Sequence, residues 1–202
     1  MAGLRERQKR DREERIVRAA TRLFDTRGYA ETGVEDIAAE AGLAVGTIYN
    51  YFGSKPELLV AMIRGETSET LAEIEPILKD AELPAREAIA RVFDAYVSLL
   101  RRHPREHLRE LVVAALANPE AIAGPTFAED LRLVSGLVDL LAELQARGGL
   151  VEDADPGQVA VVLYGVYAAW FLAYLASQEL PLDEVRRQIR AGVDIVVRGI
   201  IP

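Results

Sequence analysis

The chain has 202 residues, half of them hydrophobic, no cysteine and a net charge of −8. This composition supports a packed core and excludes a disordered chain, and the missing thiols exclude disulfides, thiolate metal sites and cysteine nucleophiles. The charge is uneven, because residues 1–55 hold ten Lys/Arg against nine Asp/Glu and residues 56–202 hold fourteen against twenty-three. A basic head on an acidic body presents one end to a polyanion. The opening MAGLRERQKRDREERIV lacks the apolar run of a secretory signal, and a cytoplasmic setting is expected.

Taken in chain order, periodicity predicts an amphipathic helix over residues 11–28, with Ile16, Ala19, Ala20, Leu23 and Phe24 on one face and Gly28 as its stop. A short helix is predicted over residues 34–41, ended by Gly42, and another over residues 45–52. Ser54, Pro56 and Glu57 signal a strong helix start. That fourth helix runs toward Leu78, with Pro76 expected to kink or end it. Pro84 opens a fifth helix, with Ile89, Val92, Phe93, Tyr96, Val97 and Leu100 as its apolar positions. A sixth covers about residues 105–117 and closes at Asn118-Pro119. Beyond a loop holding Gly124-Pro125, a seventh runs to Arg147 with Leu131, Val134, Val138, Leu141 and Leu144 as its stripe. Asp155-Pro156 starts an eighth. A ninth offers Val185, Ile189, Val193, Val196 and Ile200 as one face. No period-2 strand pattern appears, so the expected fold is all-α, a bundle of about nine helices.

Residues 32–55, TGVEDIAAEAGLAVGTIYNYFGSK, fit a helix-turn-helix. Ala38 is small enough for close helix crossing. Gly42 tolerates the positive φ of the turn, and Ile48 anchors the second helix. The second helix is then free to expose Val45, Gly46, Thr47, Tyr49, Asn50 and Tyr51, groups suited to phosphates and base edges. The basic residues Arg5, Arg7, Lys9, Arg10 and Arg12 form an arm ahead of the head that can add backbone or minor-groove contacts.

The run RIVRAATRLFDTRGYAETGVEDIAAEAGLAVGTIYNYFGSKPELL resembles the DNA-binding region of the tetracycline-repressor (TetR) family of bacterial regulators. The most specific parts are Ala41-Gly42-Leu43, Gly46-Thr47-Ile48-Tyr49, Tyr51-Phe52 and Ser54-Lys55. The resemblance implies a DNA-binding domain over residues 1–55 and a ligand-sensing, dimerising domain over residues 56–202. It implies DNA contacts at Thr47, Tyr49, Asn50, Tyr51 and Lys55, and the candidate DNA-facing set also includes Thr32, Val45 and Gly46. It also implies a small, largely apolar effector held by Met62, Phe93, Tyr96, Leu100, Trp170 and Phe171. Two features depart from the family pattern. Gly33 stands where a capping hydroxyl is usual, and Ala44-Val45 where a Ser and often a Lys are usual, so fewer phosphate contacts are expected.

Residues 156–178 carry no charge. Length alone makes them a membrane-span candidate, but three tyrosines and the lack of basic flanks favour a buried helix that pairs with a second subunit. Homodimerisation is expected through residues of about 156–177 and 183–200, with Ala160, Gly165, Ala168, Ala169, Ala173 and Ala176 allowing close approach. The body aromatics also include Phe127, Tyr164, Tyr167 and Tyr174. His103, Glu106, His107 and Glu110 have ligand-like spacing, but Pro104 and the surrounding arginines oppose a cation, so a solvated face is expected there and no metal or cofactor. No catalytic constellation is recognisable, and the family resemblance implies a ligand-released DNA-binding repressor as the function. The rivals are an unrecognised enzyme and a helical membrane or scaffold protein built around residues 156–178.

Overall fold

A computed structural model of the chain describes residues 2–80, 82–118 and 124–202. Among them the secondary structure is helical throughout: α1 (Ala2–Arg27), α2 (Val34–Ala41), α3 (Val45–Tyr51), α4 (Lys55–Leu78), α5 (Ala85–Arg102), α6 (Arg105–Ala117), α7 (Gly124–Ala146), α8 (Pro156–Ala176) and α9 (Leu182–Ile200). Two compact units form. One comprises Met1–Gly65 and Glu106–Thr126, the other Glu66–Arg105 and Phe127–Pro202.

In the first unit α1 packs on α2 and α2 on α3. Ile16, Ala20 and Phe24 of α1, Ile37 and Ala38 of α2, Ile48 of α3, and Leu58 and Leu59 of α4 are all buried. Their three- and four-residue spacing puts each set on the inner face of its helix. The turn after α2 follows from Gly42, whose φ of 64° lets the Gly42 N–H reach Ala39 O at 3.1 Å and the Leu43 N–H reach Ala38 O at 2.9 Å. That pairing satisfies carbonyls the helix end would otherwise leave open. Ser54 caps α4: the Glu57 N–H donates to its Oγ at 3.3 Å, and the Glu57 carboxylate accepts from the Gly53 N–H at 3.2 Å.

In the second unit α9 packs on both α5 and α8. A Cβ added at Gly192 would come within 2.6 Å of Val166 Cγ1, so glycine there sets the α8–α9 approach. Asp155 caps α8, accepting from the N–H groups of Gly157 at 2.8 Å and Gln158 at 3.1 Å. Asp94 of α5 ties α9 in place by accepting from Arg190 and Arg186. Burial alone would raise the Asp94 pKa, but these hydrogen bonds and charges hold it below its ordinary value.

Several expectations are corrected. Helix α1 starts at Ala2, not near residue 11, so the basic arm is helical. Helix α4 ends at Leu78, as expected, with Pro76 inside its last turn. Gly124 and Pro125 belong to the start of α7 and are not a loop. The buried row of α7 is Leu133, Leu137, Leu140, Leu141 and Leu144, while Leu131 is 68% exposed. Helix α9 buries Val197 in place of Val196. His103 and His107 are buried, contrary to the solvated face expected of that stretch. Pro119 and the side chain of Phe127 lie outside the described residues.

Candidate functional site

The presentation of α3 begins with one buried residue. Ile48 is 2% exposed, and Phe52, one turn on, is 6% exposed. With these two held inward, helical geometry turns their neighbours out. Gly46, Tyr49 and Asn50 are exposed, while Val45, Thr47 and Tyr51 are half-buried at the margins. Six of the expected DNA-facing residues thus share one short helix.

Thr32 does not join that surface. It is 1% exposed, and its hydroxyl donates to Gly28 O at 2.8 Å. Its side chain closes the end of α1, so it is removed from the set of DNA contacts. Gly33 provides no side-chain cap for α2. Asp36 reaches back instead and accepts from the Gly33 N–H at 3.0 Å. Ala44 likewise offers no side-chain cap to α3.

Lys55 is half-buried at the start of α4. Its ammonium lies 4.2 Å from the centroid of the Tyr29 ring and donates to Ala30 O at 3.5 Å. Desolvation lowers the Lys55 pKa, and Glu110 and Glu31 oppose that shift. Tyr29 is buried, which together with the Glu110 charge pushes its pKa up to about 12, so it stays neutral beneath the lysine. Helix α6 thus brings Glu110 into the electrostatic surroundings of Lys55. It also places His107 against Phe24, with ring centroids 6.0 Å apart. The spacing of His103, Glu106, His107 and Glu110 drew attention in the sequence, but not this pairing of α6 with the head.

Along α1, a groove of about 330 Å³ is lined by Arg15, Arg18 and Arg22 opposite the last turn of α2. Arg15 donates to Ala41 O at 2.6 Å, and Arg22 pairs with Glu40 at 2.6 Å. Guanidinium groups at this point complement the negative end of the α2 dipole.

The expected effector residues fall in two places. Met62 is buried in the first unit. In the second unit Phe93, Tyr96 and Leu100 share the buried face of α5, and Trp170 and Phe171 are half-buried on α8. Tyr96 meets Tyr167 edge to face with centroids 4.8 Å apart, and Tyr167 stacks on Phe171 at 5.9 Å. The sequence reading missed Asp130 of α7, on which Tyr96 and Tyr164 converge by hydrogen bonds. Burial first, and then the Asp130 charge among others, raises the pKa of Tyr96, Tyr164 and Tyr167. No periodicity marks such a carboxylate, because its partners come from distant helices.

Helices α8 and α9 leave an apolar surface outside the unit. Val161, Val162 and Leu172 of α8 are more than half exposed, and Ile195 of α9 is 72% exposed. Gly165 and Ala169 fall on the same side of α8, but Ala160 is buried in the core. By length and hydropathy α8 could cross a membrane. Its partners are α9 and the tyrosine cluster.

Residues 16–62 match the family model for bacterial regulatory proteins of the tetR family. The head of this chain is a TetR-family DNA-binding region. The match covers the buried half of α1, the whole helix-turn-helix and the start of α4. The chain is 27% identical over 193 residues to the HTH-type transcriptional repressor KstR of Mycobacterium tuberculosis, covering 95% of this chain and 81% of that protein. Its fold matches Thermus thermophilus FadR, a TetR-family repressor solved with lauroyl-CoA, at a TM-score of 0.75 and 22% identity over 94% of this chain and 95% of that one. FadR of Bacillus subtilis, solved with stearoyl-CoA, matches at a TM-score of 0.68 and 22% identity over 93% and 98% of the two chains.

Proposed function

We propose that this TetR-family regulator is a dimeric repressor released from DNA by a largely apolar small molecule in the cytoplasm. Residues 1–55 form the DNA-binding domain, and residues 56–202 sense the effector and dimerise. The observation that carries the reading is the split on α3, where Ile48 is buried and Gly46, Tyr49 and Asn50 are exposed. Val45, Gly46, Thr47, Tyr49, Asn50 and Tyr51 meet the major groove, and Lys55 takes a phosphate at the start of α4. The exposed apolar residues of α8 and α9 join two copies, which sets two recognition helices about 34 Å apart over a pseudo-palindrome.

The effector contacts Phe93, Tyr96, Leu100, Trp170 and Phe171, while Met62 is carried in that set by the resemblance alone. The lauroyl-CoA and stearoyl-CoA held by the two FadR proteins support fatty acyl thioesters as the first class to try. Release is a population shift transmitted along α4, which begins at Lys55. A 100-fold loss of DNA affinity needs about 2.7 kcal/mol of differential effector binding.

The test is fluorescence anisotropy on a duplex from upstream of the protein's own gene, with and without acyl thioesters. Tyr49→Ala and Lys55→Ala should each weaken binding about tenfold or more, as expected for loss of one charge-assisted or well-packed contact. Unchanged affinity in both variants would overturn the assignment of the DNA face. Unchanged affinity on adding acyl thioesters would exclude that effector class.

A further inference from the structure

We infer that the first turns of α1 form a rigid basic rail that grips DNA phosphates beyond the base pairs read by α3. The inference rests on the DNA-binding reading above and adds a second contact surface to it. Three observations place the rail. Helix α1 is continuous from Ala2, yet its first buried residue among those described is Ile16. About 13 residues, or about 20 Å, therefore project beyond the packed part of the helix. Arg15 fixes where the projection leaves the head, since its guanidinium donates to Ala41 O at 2.6 Å beside Gly42, in the turn that leads into α3. The projecting turns thus run on from the place where the recognition helix starts.

The third observation is the facing of the charges. At about 3.6 residues per turn, Arg5, Lys9 and Arg12 fall within about 60° of one another. They are in phase with Ile16 and Leu23 on the buried face of α1, the helix that packs on α2, which in turn packs on α3. The cation row therefore continues the inner face of α1 past the head, on the side of the helix-turn-helix. Glu6 and Glu13 border the row on one side. Asp11, Glu14, Arg7 and Arg10 fall on the remaining faces. Glu14 pairs with Arg18 at 3.6 Å. Among the described residues no ion pair occupies Arg5, Lys9 or Arg12, and all three are exposed.

A row of exposed cations one helical turn apart is suited to a phosphate strand, and its contribution is independent of base sequence. It also offsets the missing Ser and Lys at Ala44 and Val45. Being helical, the rail loses less conformational entropy on binding than a disordered arm.

The experiment compares two variants of equal charge: Arg5→Ala/Lys9→Ala on the rail and Arg7→Ala/Arg10→Ala on the far side. All four positions are exposed and alanine favours helix, so circular dichroism should match the unaltered protein in both. Binding is titrated on a fluorescein-labelled duplex of mixed sequence across a salt series, with Lys55→Ala as a reference. The rail variant should lower the log–log salt slope by about 2 to 4, from two phosphates on each of two arms, and weaken binding at least about tenfold. The far-side variant should keep the original slope. Equal losses in the two variants, or none in either while Lys55→Ala weakens binding, would overturn the rail and leave the α3 assignment standing. No binding by the unaltered protein to this or any duplex would overturn the DNA-binding reading and the rail with it.

Discussion

Ile48 and Tyr49 are adjacent and have opposite roles. The first is 2% exposed and anchors α3, and the second is 49% exposed and faces outward. Residue-scale chemistry of this kind was legible wherever one side chain acts through spacing alone, as Gly42, Ala38, Ile48 and Ser54 do. It was not legible where a partner comes from elsewhere in the chain. Thr32 is a candidate DNA contact in the sequence, but its N–H bonds Tyr29 O and its hydroxyl turns inward to Gly28 O. Asp130 gives no signal in the sequence, and Glu110 stands out only for its spacing from the two histidines, because their partners lie on other helices. Asp94 gives a residue-scale prediction. Its pKa is held below the ordinary 3.8, so its contribution to stability is present above that value and is lost as pH falls through the lower folded value. Asp94→Asn should cost about 1 kcal/mol at neutral pH, the figure being modest because the pair is partly solvated. In thermal melts the gap between the two proteins should close as pH falls below 3.8. A gap that persists in acid would count against this role.

At the scale of the element, two glycines in the helix-turn-helix separate folding from binding. Gly42 has a φ of 64°, whereas a Cβ at Gly46 would meet nothing within 4 Å. Gly42→Ala should therefore destabilise the protein by about 1–2 kcal/mol through left-handed strain. Gly46→Ala should stabilise α3 by up to about 1 kcal/mol and yet weaken DNA binding, because the new methyl would stand on the exposed side proposed to meet the groove. Melting temperature and DNA affinity measured on both variants check this, and a Gly46→Ala protein with full affinity would show that α3 keeps its backbone away from the groove. Most helices were readable as elements, since Pro, Gly and capping residues punctuate them. Registers were less readable in helices that are apolar on more than one side. In α7 the Leu131 and Leu133 rows have the same spacing, and only packing decides that Leu133 goes inward. Periodicity shortens α1 because its first turns have no apolar face, and that polar character is what leaves them free to act as the rail.

At the scale of the whole molecule, the basic head and acidic body follow from sequence, and the exposed apolar rows of α8 and α9 follow from the fold. An uncharged helix such as α8 reads equally as a membrane span, a core helix or an interface. Its packing against α9 together with exposed Val161, Val162 and Leu172 favours the interface. On the proposed dimer a symmetric pair is the unit, and its DNA target inherits that symmetry. The most direct test is selection of bound duplexes from a random-sequence library by the full chain, followed by sequencing. The account predicts an enriched inverted repeat with half-site centres about 34 Å apart or a multiple of that spacing. An asymmetric single site, or no enrichment at all, would contradict it.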